Sequence, residues 1–313
     1  MIAPPQCLAE NRGLAFPGDE PRGRFEISEA EARRLLAAPN RHGKPNSDVV
    51  RPWAGADDLR RTPRRRWMID FPPAMDEREA ALYAQPFARV RRLVRPVWGG
   101  RRARWWVHGR PQPEMRIALA KRERFIATPA AGRARIFAWL PAELLPAHSL
   151  VVFARDDDWL LGVLHSRAHG VWTRDAGRYA PAACFETFPL PWPPRTPLGK
   201  LTRAQEEQRT AIALAARTLD VQRRAWLEAG EVPAPTLSAL YRLRPPWLDE
   251  LHARLDAAVA AAYGWPPAIS DEEITSRLTA VNRERAGPAG PPAPNRRLDS
   301  PGGCCKLHGE EAS

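Results

Sequence analysis

Short apolar runs separated by polar turns dominate the first half of the chain and predict β-strands. Each run is rich in β-branched or aromatic residues and ends at proline, glycine or a charged residue. The runs lie at 67–71, 125–129, 136–140 and 150–154. Residues 48–53 are also predicted to be extended, because Pro52 disfavours a helical conformation at Arg51.

The run at 150–154 leads into three consecutive acids and a second apolar run at 159–164. This pattern of apolar approach, acidic turn and apolar return predicts a β-hairpin with Asp156, Asp157 and Asp158 at its tip. His165-Ser166-Arg167 would then leave the hairpin at its exit. We expect any polar contact made by this hairpin to come from those three residues.

Helices are predicted where apolar residues recur at spacings of three and four and a capping residue precedes them. Ser28 with Glu31, and Thr202 with Gln205, have the spacing of helix N-terminal caps. A stripe that begins at Asp76 is interrupted near Pro86 and carries arginines on its other face. Further helices are expected at 115–120, 246–263 and 270–285.

Together these elements predict an α+β fold in which a mixed or antiparallel β region with short helices precedes a small α-helical module. A proline-dense segment, 188–194, separates the two regions, and the module extends from 197 to 286. From 287 to 313, Gly, Pro and charged residues leave almost nothing to bury, which predicts a disordered tail.

Cysteine use and hydropathy indicate a soluble protein of the cytoplasm. The four cysteines, Cys7, Cys184, Cys304 and Cys305, lack the spacings of a disulfide framework or a zinc site. The N-terminus lacks the pattern of a signal peptide, and no apolar run is long enough to predict a membrane span.

Positive charge is concentrated in one stretch. The chain has 48 Lys or Arg against 36 Asp or Glu, a net charge of +12. Residues 51–124 alone hold 19 basic and 8 acidic residues, an excess of 11. Arginine pairs well with phosphate and guanine, so this density favours a polyanion-binding surface over an ordinary solvated one.

Two groups of residues have side-chain types suited to catalysis, and each also has a structural explanation. Asp156 to Asp158 with His165 have the ligand types of a metal or nuclease site, but an acidic turn is the commoner explanation. His165 and Ser166 have the right types for nucleophilic catalysis, yet neighbours on a strand point to opposite faces. No glycine-rich cofactor loop follows a predicted strand, and no Asn-Pro-Pro-aromatic segment is present. We therefore expect no catalytic residues, cofactor site or metal site in this chain.

Nine segments in collinear order resemble those of one protein family. They are Arg51-Pro52-Trp53, Trp67-Met68-Ile69-Asp70-Phe71, Arg104-Trp105-Trp106-Val107-His108-Gly109, Phe125-Ile126-Ala127-Thr128-Pro129, Ala154-Arg155-Asp156-Asp157-Asp158, Gly162-Val163-Leu164-His165-Ser166-Arg167, Cys184-Phe185-Glu186-Thr187-Phe188-Pro189, Thr236-Leu237 with Leu240-Tyr241, and Leu255-Asp256-Ala257-Ala258-Val259 with Ala262-Tyr263-Gly264-Trp265-Pro266. In this order they resemble the target-recognition and helical regions of MmeI-like type IIG restriction-modification DNA methyltransferases. The resemblance covers roughly Asn11 to Arg285.

The resemblance implies a module that reads double-stranded DNA for an N6-adenine methyltransferase that uses S-adenosylmethionine. The catalytic domain of such enzymes lies upstream and flips its target adenine. Residues 1–45 would be the connector that follows this absent domain, 46–196 the recognition domain and 197–286 the helical region.

Roles for individual residues follow from the resemblance. Arg133 and Arg135 are expected to contact bases or phosphates, with His165, Ser166 and Arg167 facing the same groove. Arg101, Arg102 and Arg104 are expected to hold phosphates. For each arginine the alternative is a surface residue or a structural ion pair.

Three interpretations of function remain open at this point. The chain is a recognition module without catalysis of its own, the recognition subunit of a split methyltransferase with a separate catalytic chain, or an inactive gene fragment. The last is motivated by loops that are shorter than the family pattern near Val97, Trp172 and Trp226.

Overall fold

The computed structural model describes residues 4–61, 64–98, 102–132, 135–229, 235–266 and 268–286. Within these residues the chain forms two small β-sheets surrounded by helices, which confirms the α+β prediction. The predicted disordered tail, 287–313, lies outside the described residues.

The described strands are short, with between two and six residues each. They are β1 (Ala15–Pro17), β2 (Glu26–Ile27), β3 (Val50–Ala54), β4 (Arg66–Ile69), β5 (Arg124–Pro129), β6 (Ala138–Pro141), β7 (Leu145–Pro146) and β8 (Leu150–Phe153).

The first sheet has the order β1-β8-β5-β6, and all of its neighbouring strands are antiparallel. Ile126 lies opposite Phe153 on one side and Trp139 on the other. All four residues of β8 are buried, because both faces of this central strand are covered. The expected strands at 125–129, 136–140 and 150–154 therefore form one sheet.

The second sheet is mixed and has the order β2-β4-β3-β7. β4 is antiparallel to β2 and β3, whereas β3 and β7 are parallel and place Trp53 opposite Leu145. The strands expected at 48–53 and 67–71 are the two central strands of this sheet.

The α-helices of the described residues fall on both sides of residue 197. They are α1 (Glu29–Ala37), α2 (Ala56–Arg60), α3 (Glu77–Leu82), α4 (Ala84–Leu93), α5 (Arg95–Trp98), α6 (Pro113–Leu119), α7 (Asp158–His165), α8 (Arg167–Trp172), α9 (Arg203–Glu228), α10 (Leu237–Leu243), α11 (Pro246–Ala262) and α12 (Asp271–Ala286). No helix in the described part of the chain is both long and apolar enough to cross a membrane.

Both predicted helix caps are present. The Ser28 Oγ atom accepts a hydrogen bond from the Glu31 N–H at 3.2 Å, at the start of α1. At the start of α9, the Thr202 hydroxyl accepts from the Gln205 N–H at 3.3 Å, and the Gln205 side chain accepts from the Thr202 N–H at 2.9 Å. These contacts satisfy N–H groups that have no partner within the helix.

The predicted hairpin is wrong, because the second apolar run is the helix α7. Asp157 caps it by accepting from the Leu160 N–H at 3.2 Å, and all eight residues of the helix are buried. A helix that is covered on every face needs no polar side, so its sequence lacks the amphipathic period that marks surface helices. Its apolar run therefore has the same pattern as a buried strand.

The largest hydrophobic core crosses the predicted boundary at residue 197. Strands of the first sheet and helices α7 and α8 contribute to it together with α9, α10, α11 and α12. A second core lies around the second sheet and α4. The helical module therefore shares its core with the β region that precedes it.

The segment before α1 belongs to both sheets. It supplies β1 to the first sheet and β2 to the second. The side chain of Asn11 donates to the carbonyls of Phe185 and Phe188 at 3.0 and 2.7 Å. Asn282 on α12 donates to the Gln6 carbonyl at 2.8 Å. The predicted connector is thus hydrogen-bonded to distant parts of the chain.

Substitution of Gly162 by alanine is expected to destabilise the protein by about 1–3 kcal/mol, because α7 packs closely against α9 and α11. An added Cβ would lie 2.7 Å from Ile212 Cγ2 and 3.1 Å from both Ala216 Cβ and Leu255 Cδ1. Urea denaturation would measure the change. Gly170→Ala is the matched control in α8, where nothing lies within 4 Å, and it should be neutral or slightly stabilising. Equal effects from the two variants would contradict the close packing.

Candidate nucleic-acid interface

The residues predicted to contact DNA fall into two groups. Arg102 and Arg104 follow α5, and Arg135, His165, Ser166 and Arg167 lie around α7 and α8. Arg101 and Arg133 lie outside the described residues. The six described residues all make contacts within the protein.

Arg102 stacks over Trp98, with 5.0 Å between its guanidinium carbon and the ring centroid, and donates to the His108 carbonyl at 2.6 Å. Burial lowers the pKa of this guanidinium, and the positive charges of Arg22 and Arg104 lower it further.

The side chain of Arg104 is exposed, but hydrogen bonds hold its guanidinium group in place. Its Nη2 donates to the carbonyls of Pro73 and Met75, and its guanidinium lies 5.8 Å from the centre of the Trp106 ring. The neighbouring Trp105 is buried, as is Trp106. Both tryptophans therefore pack in the core of the second sheet, and base stacking by them would require them to leave it.

Arg135 lies at the far end of α8. It donates to the carbonyls of Gly132 and Ala176, the former at 3.2 Å, and lies 5.7 Å from the centre of the Tyr179 ring. These bonds fix the loop that follows β5 against the end of α8. A base contact by Arg135 would have to use guanidinium N–H groups that do not take part in these two bonds.

His165 and Ser166 are buried, with 9% and 3% of their surfaces exposed. His165 Nε2 lies 2.8 Å from the Phe137 carbonyl and 2.9 Å from Arg223 Nη1. Burial and the charge of Arg223 hold the pKa of His165 well below its usual range. Ser166 caps α8 and donates to the Val163 carbonyl at 2.7 Å. Their geometry favours structural roles, and DNA contact by either remains a prediction.

Arg167 keeps 45% of its side chain exposed while it ties α8 to the helical module. Its backbone N–H donates to Asp256 Oδ1 at 2.6 Å, and its guanidinium contacts the Ile269 carbonyl at 2.8 Å and Asp271 at 2.5 Å. Arg174 also pairs with Asp271. Of the described predicted residues around α8, Arg167 is the most accessible to a ligand.

Arginines surround the three consecutive acids that raised the question of a metal site. Asp156 pairs with Arg122 at 3.0 Å, Asp157 with Arg155 at 2.6 Å, and Asp158 with Arg124 at 3.0 Å and Arg217 at 2.8 Å. These side chains already supply the positive charge that the carboxylates need. The acids thus belong to a cap and an ion-pair network at the start of α7.

A buried cluster that the sequence pattern did not reveal joins the two sheets. The ligand-type atoms of Asp19, Asp70 and His108 lie within 4.8 Å of one another. The Arg116 guanidinium forms two bonds with Asp70, at 2.7 and 2.8 Å, and another with Asp19. Arg116 thus supplies positive charge to both carboxylates.

The electrostatics of this cluster fit ion pairing. Burial raises the pKa of the Asp70 carboxyl, but His108 and Arg116 together outweigh it, so the pKa lies below its ordinary value. Asp19, Asp70 and His108 are far apart in the sequence, although Asp70 and His108 belong to two of the segments that resemble the family. Only the fold brings them together.

Several arginines of the basic stretch, residues 51–124, form ion pairs with carboxylates within the protein. Partners are present for Arg51, Arg66, Arg89, Arg116, Arg122 and Arg124. The surface available to an anion is therefore smaller than the excess of 11 basic residues suggests.

No model of a known protein family matches the chain, and no curated protein sequence matches it. Among solved structures, the chain is similar to the type IIL restriction-modification enzyme MmeI in complex with DNA, with a TM-score of 0.64 and 18% sequence identity. The similarity covers 87% of this chain and 35% of that enzyme chain. At this identity the likeness concerns the fold.

The fold is therefore that of part of a restriction-modification enzyme. The expected resemblance is confirmed at this level, while the enzyme subtype stays a prediction. This chain spans about a third of the length of the enzyme chain that it matches.

Proposed function

We propose that this chain binds double-stranded DNA sequence-specifically, as the target-recognition part of a restriction-modification adenine DNA methyltransferase. The observation that carries the proposal is the similarity of 87% of the chain to an enzyme whose structure contains DNA. The concentration of positive charge in residues 51–124 supports it, because phosphate contacts supply most of the affinity of such proteins for DNA.

We propose further that this chain alone does not transfer a methyl group. The parent enzyme would use S-adenosylmethionine, and we propose that another part of that enzyme binds it. In support of this, the connection from β3 to α2 has a single glycine, Gly55, whose N–H is already bonded to Asp58 at 2.7 Å.

Within this proposal, Arg133, Arg135 and Arg167 are the candidates to read bases, and Arg101, Arg102 and Arg104 the candidates to hold phosphates. Phosphate contacts fix the position of a protein on the duplex, whereas contacts with base edges discriminate sequence. His165 and Ser166 would then position α8, and with it Arg167, through their buried hydrogen bonds.

The purified chain is expected to bind a pool of random duplexes at low salt and to select a preferred sequence over repeated rounds. Its affinity should fall steeply as salt increases, because binding releases counterions from the phosphates. Fluorescence anisotropy over a salt series, followed by sequencing of the bound pool, would test this. Failure to bind at about 50 mM salt, where phosphate contacts are strong, would refute the proposal.

Transfer of labelled methyl groups from S-adenosylmethionine to DNA by the chain alone would refute the assignment of catalysis to another part of the enzyme. Selection of DNA without any preferred sequence would limit the function to non-specific binding.

A second candidate is the recognition subunit of a split methyltransferase. This candidate differs from the first in requiring a separate catalytic chain. A neighbouring reading frame that encodes a glycine-rich cofactor loop and an Asn-Pro-Pro-aromatic motif would support this candidate. An inactive gene fragment is the remaining alternative, and cooperative unfolding with sequence-selective binding would exclude it.

A further inference from the structure

We infer that Arg91, Arg92 and Arg95 form a phosphate-contact surface on α4 and α5, outside the residues assigned above. This inference rests on the proposed binding of duplex DNA and specifies where one strand is held. We call these three residues the arginine face. They are exposed, and none has a carboxylate partner among the described residues.

Arg89, on the same helix, shows how a structural arginine differs from these three. It is half-buried, pairs with Glu31 at 2.7 Å and donates to the carbonyls of Arg24 and Glu26 at 2.8 and 2.9 Å. All of its contacts fix α4 to the second sheet. Within the described residues, the arginine face makes no comparable hydrogen bonds or ion pairs. Of its three residues only Arg95 has an aromatic contact, with 5.7 Å between its guanidinium carbon and the Trp105 ring centre.

The shape of this surface suits the close approach of a nucleic-acid backbone. Phe87 and three alanines, Ala81, Ala84 and Ala88, line a shallow depression with the arginine face at one end. The alanines are exposed and have short side chains, so a partner can come near the helix backbone. None of the described residues that line the depression is acidic.

The three arginines are also close together in the chain. Arg91 and Arg92 lie in the last turn of α4, and Arg95 is the first residue of α5. A strand that passes this surface can therefore present more than one phosphate to them.

Stabilisation of the helix end is the competing explanation for these charges. Cations in the last turn of a helix interact favourably with its dipole, by about 0.3–1 kcal/mol. One arginine would provide this. Three exposed arginines without a carboxylate partner are more than this role requires, and an anionic partner would supply the opposite charge that they lack.

The test uses the full chain and a triple variant, Arg91→Ala with Arg92→Ala and Arg95→Ala. If each arginine neutralises one phosphate, the slope of log affinity against log salt should fall by about 2.7 for B-DNA. The fall should be equal on random and on selected duplexes, because phosphate contacts carry no sequence information. Replacement of the three residues by lysine should restore most of the slope.

A matched control removes the same charge from the helical module, through Arg203→Ala, Arg254→Ala and Arg277→Ala. These arginines are exposed and each pairs with a glutamate one helical turn away. The control should retain the slope of the wild type to within about 1, because no phosphate contact is lost. Circular dichroism should show that both triple variants are folded, as expected for exposed positions.

The possible results distinguish the inference about the arginine face from the proposed binding of duplex DNA. Unchanged slope in the arginine-face variant, with normal binding by the wild type, would overturn this inference and leave the proposed function intact. Absence of DNA binding by the wild type would overturn both, whereas a reduced slope that lysine restores would support both.

Discussion

Replacement of Arg223 by methionine is expected to destabilise the protein by about 3 kcal/mol, since removal of one member of a buried charge network leaves its partners unsatisfied. Arg223 lies on α9 and is 2% exposed. It donates to the Phe137 carbonyl at 2.9 Å, to the Tyr241 hydroxyl at 3.1 Å and to Asp220 at 3.3 Å. Its network thus connects the β region with the helical module.

The loss of stability depends on which contacts the partners of Arg223 keep after the substitution. Asp220 would keep its pair with Arg224 at 3.0 Å, which places the loss at the lower end of the range for buried networks. Lysine at position 223 would keep the charge but could not serve all three acceptors, because it lacks the planar fork of a guanidinium. We expect an intermediate loss for Arg223→Lys.

Urea denaturation with a matched neighbour would test this prediction. Arg224→Ala removes an arginine that shares Asp220 but has 61% of its side chain exposed, so its loss should be below about 1 kcal/mol. If the two variants proved equally stable, the network around Arg223 would not hold the two regions together.

Acidification from pH 7.5 to 5.0 should lower the free energy of unfolding by roughly 5 kcal/mol, through three buried histidines. Burial lowers the pKa of His252 to about 4 and that of His169 to about 3, and the pKa of His165 also lies well below its usual range. The charge of Arg223 lowers the pKa values of His165 and His252 further. Folding therefore requires all three rings to be neutral.

The free energy of unfolding falls on acidification because the unfolded chain binds protons that the folded protein does not. Below about pH 6.5 the unfolded chain takes up a proton at each histidine, whereas the folded protein does not, so each costs up to about 1.4 kcal/mol per pH unit. The loss continues until the folded pKa is reached. Asp256 acts in the opposite direction, because burial raises its pKa to about 6, and it offsets part of the loss.

Denaturation curves between pH 7.5 and 5.0 would measure this effect. His252→Gln should reduce the pH dependence by up to about 1.4 kcal/mol per unit, since it removes one of the three titrating rings. A flat stability profile in the wild type would contradict the burial of these rings.

The elements that the sequence predicted are those with a local cause. Ser28 and Thr202 act as helix caps through bonds to residues three positions away, and the apolar runs that became β4, β5 and β8 pair as strands. Each depends on neighbours in the sequence, or on the β-branched and aromatic residues that favour strands.

The failures have a common physical reason. The run that became α7 is buried on all sides, so its apolar pattern contains no information about which secondary structure it adopts. The roles of individual arginines depend on distant partners. Arg116 pairs with Asp19 and Asp70, and Arg135 is held by carbonyls beyond α8. Composition gave the amount of positive charge, but not which part of it remains on the surface.

The contribution of the N-terminal segment to both sheets limits where this region can be joined to another protein. A junction placed near residue 46, at the predicted start of the recognition domain, would remove β1 and β2 and with them one edge strand of each sheet. It would also remove Asn11, which is bonded to two carbonyls near residue 187. A transfer that keeps these contacts would therefore require a junction upstream of Gln6, which is hydrogen-bonded to Asn282.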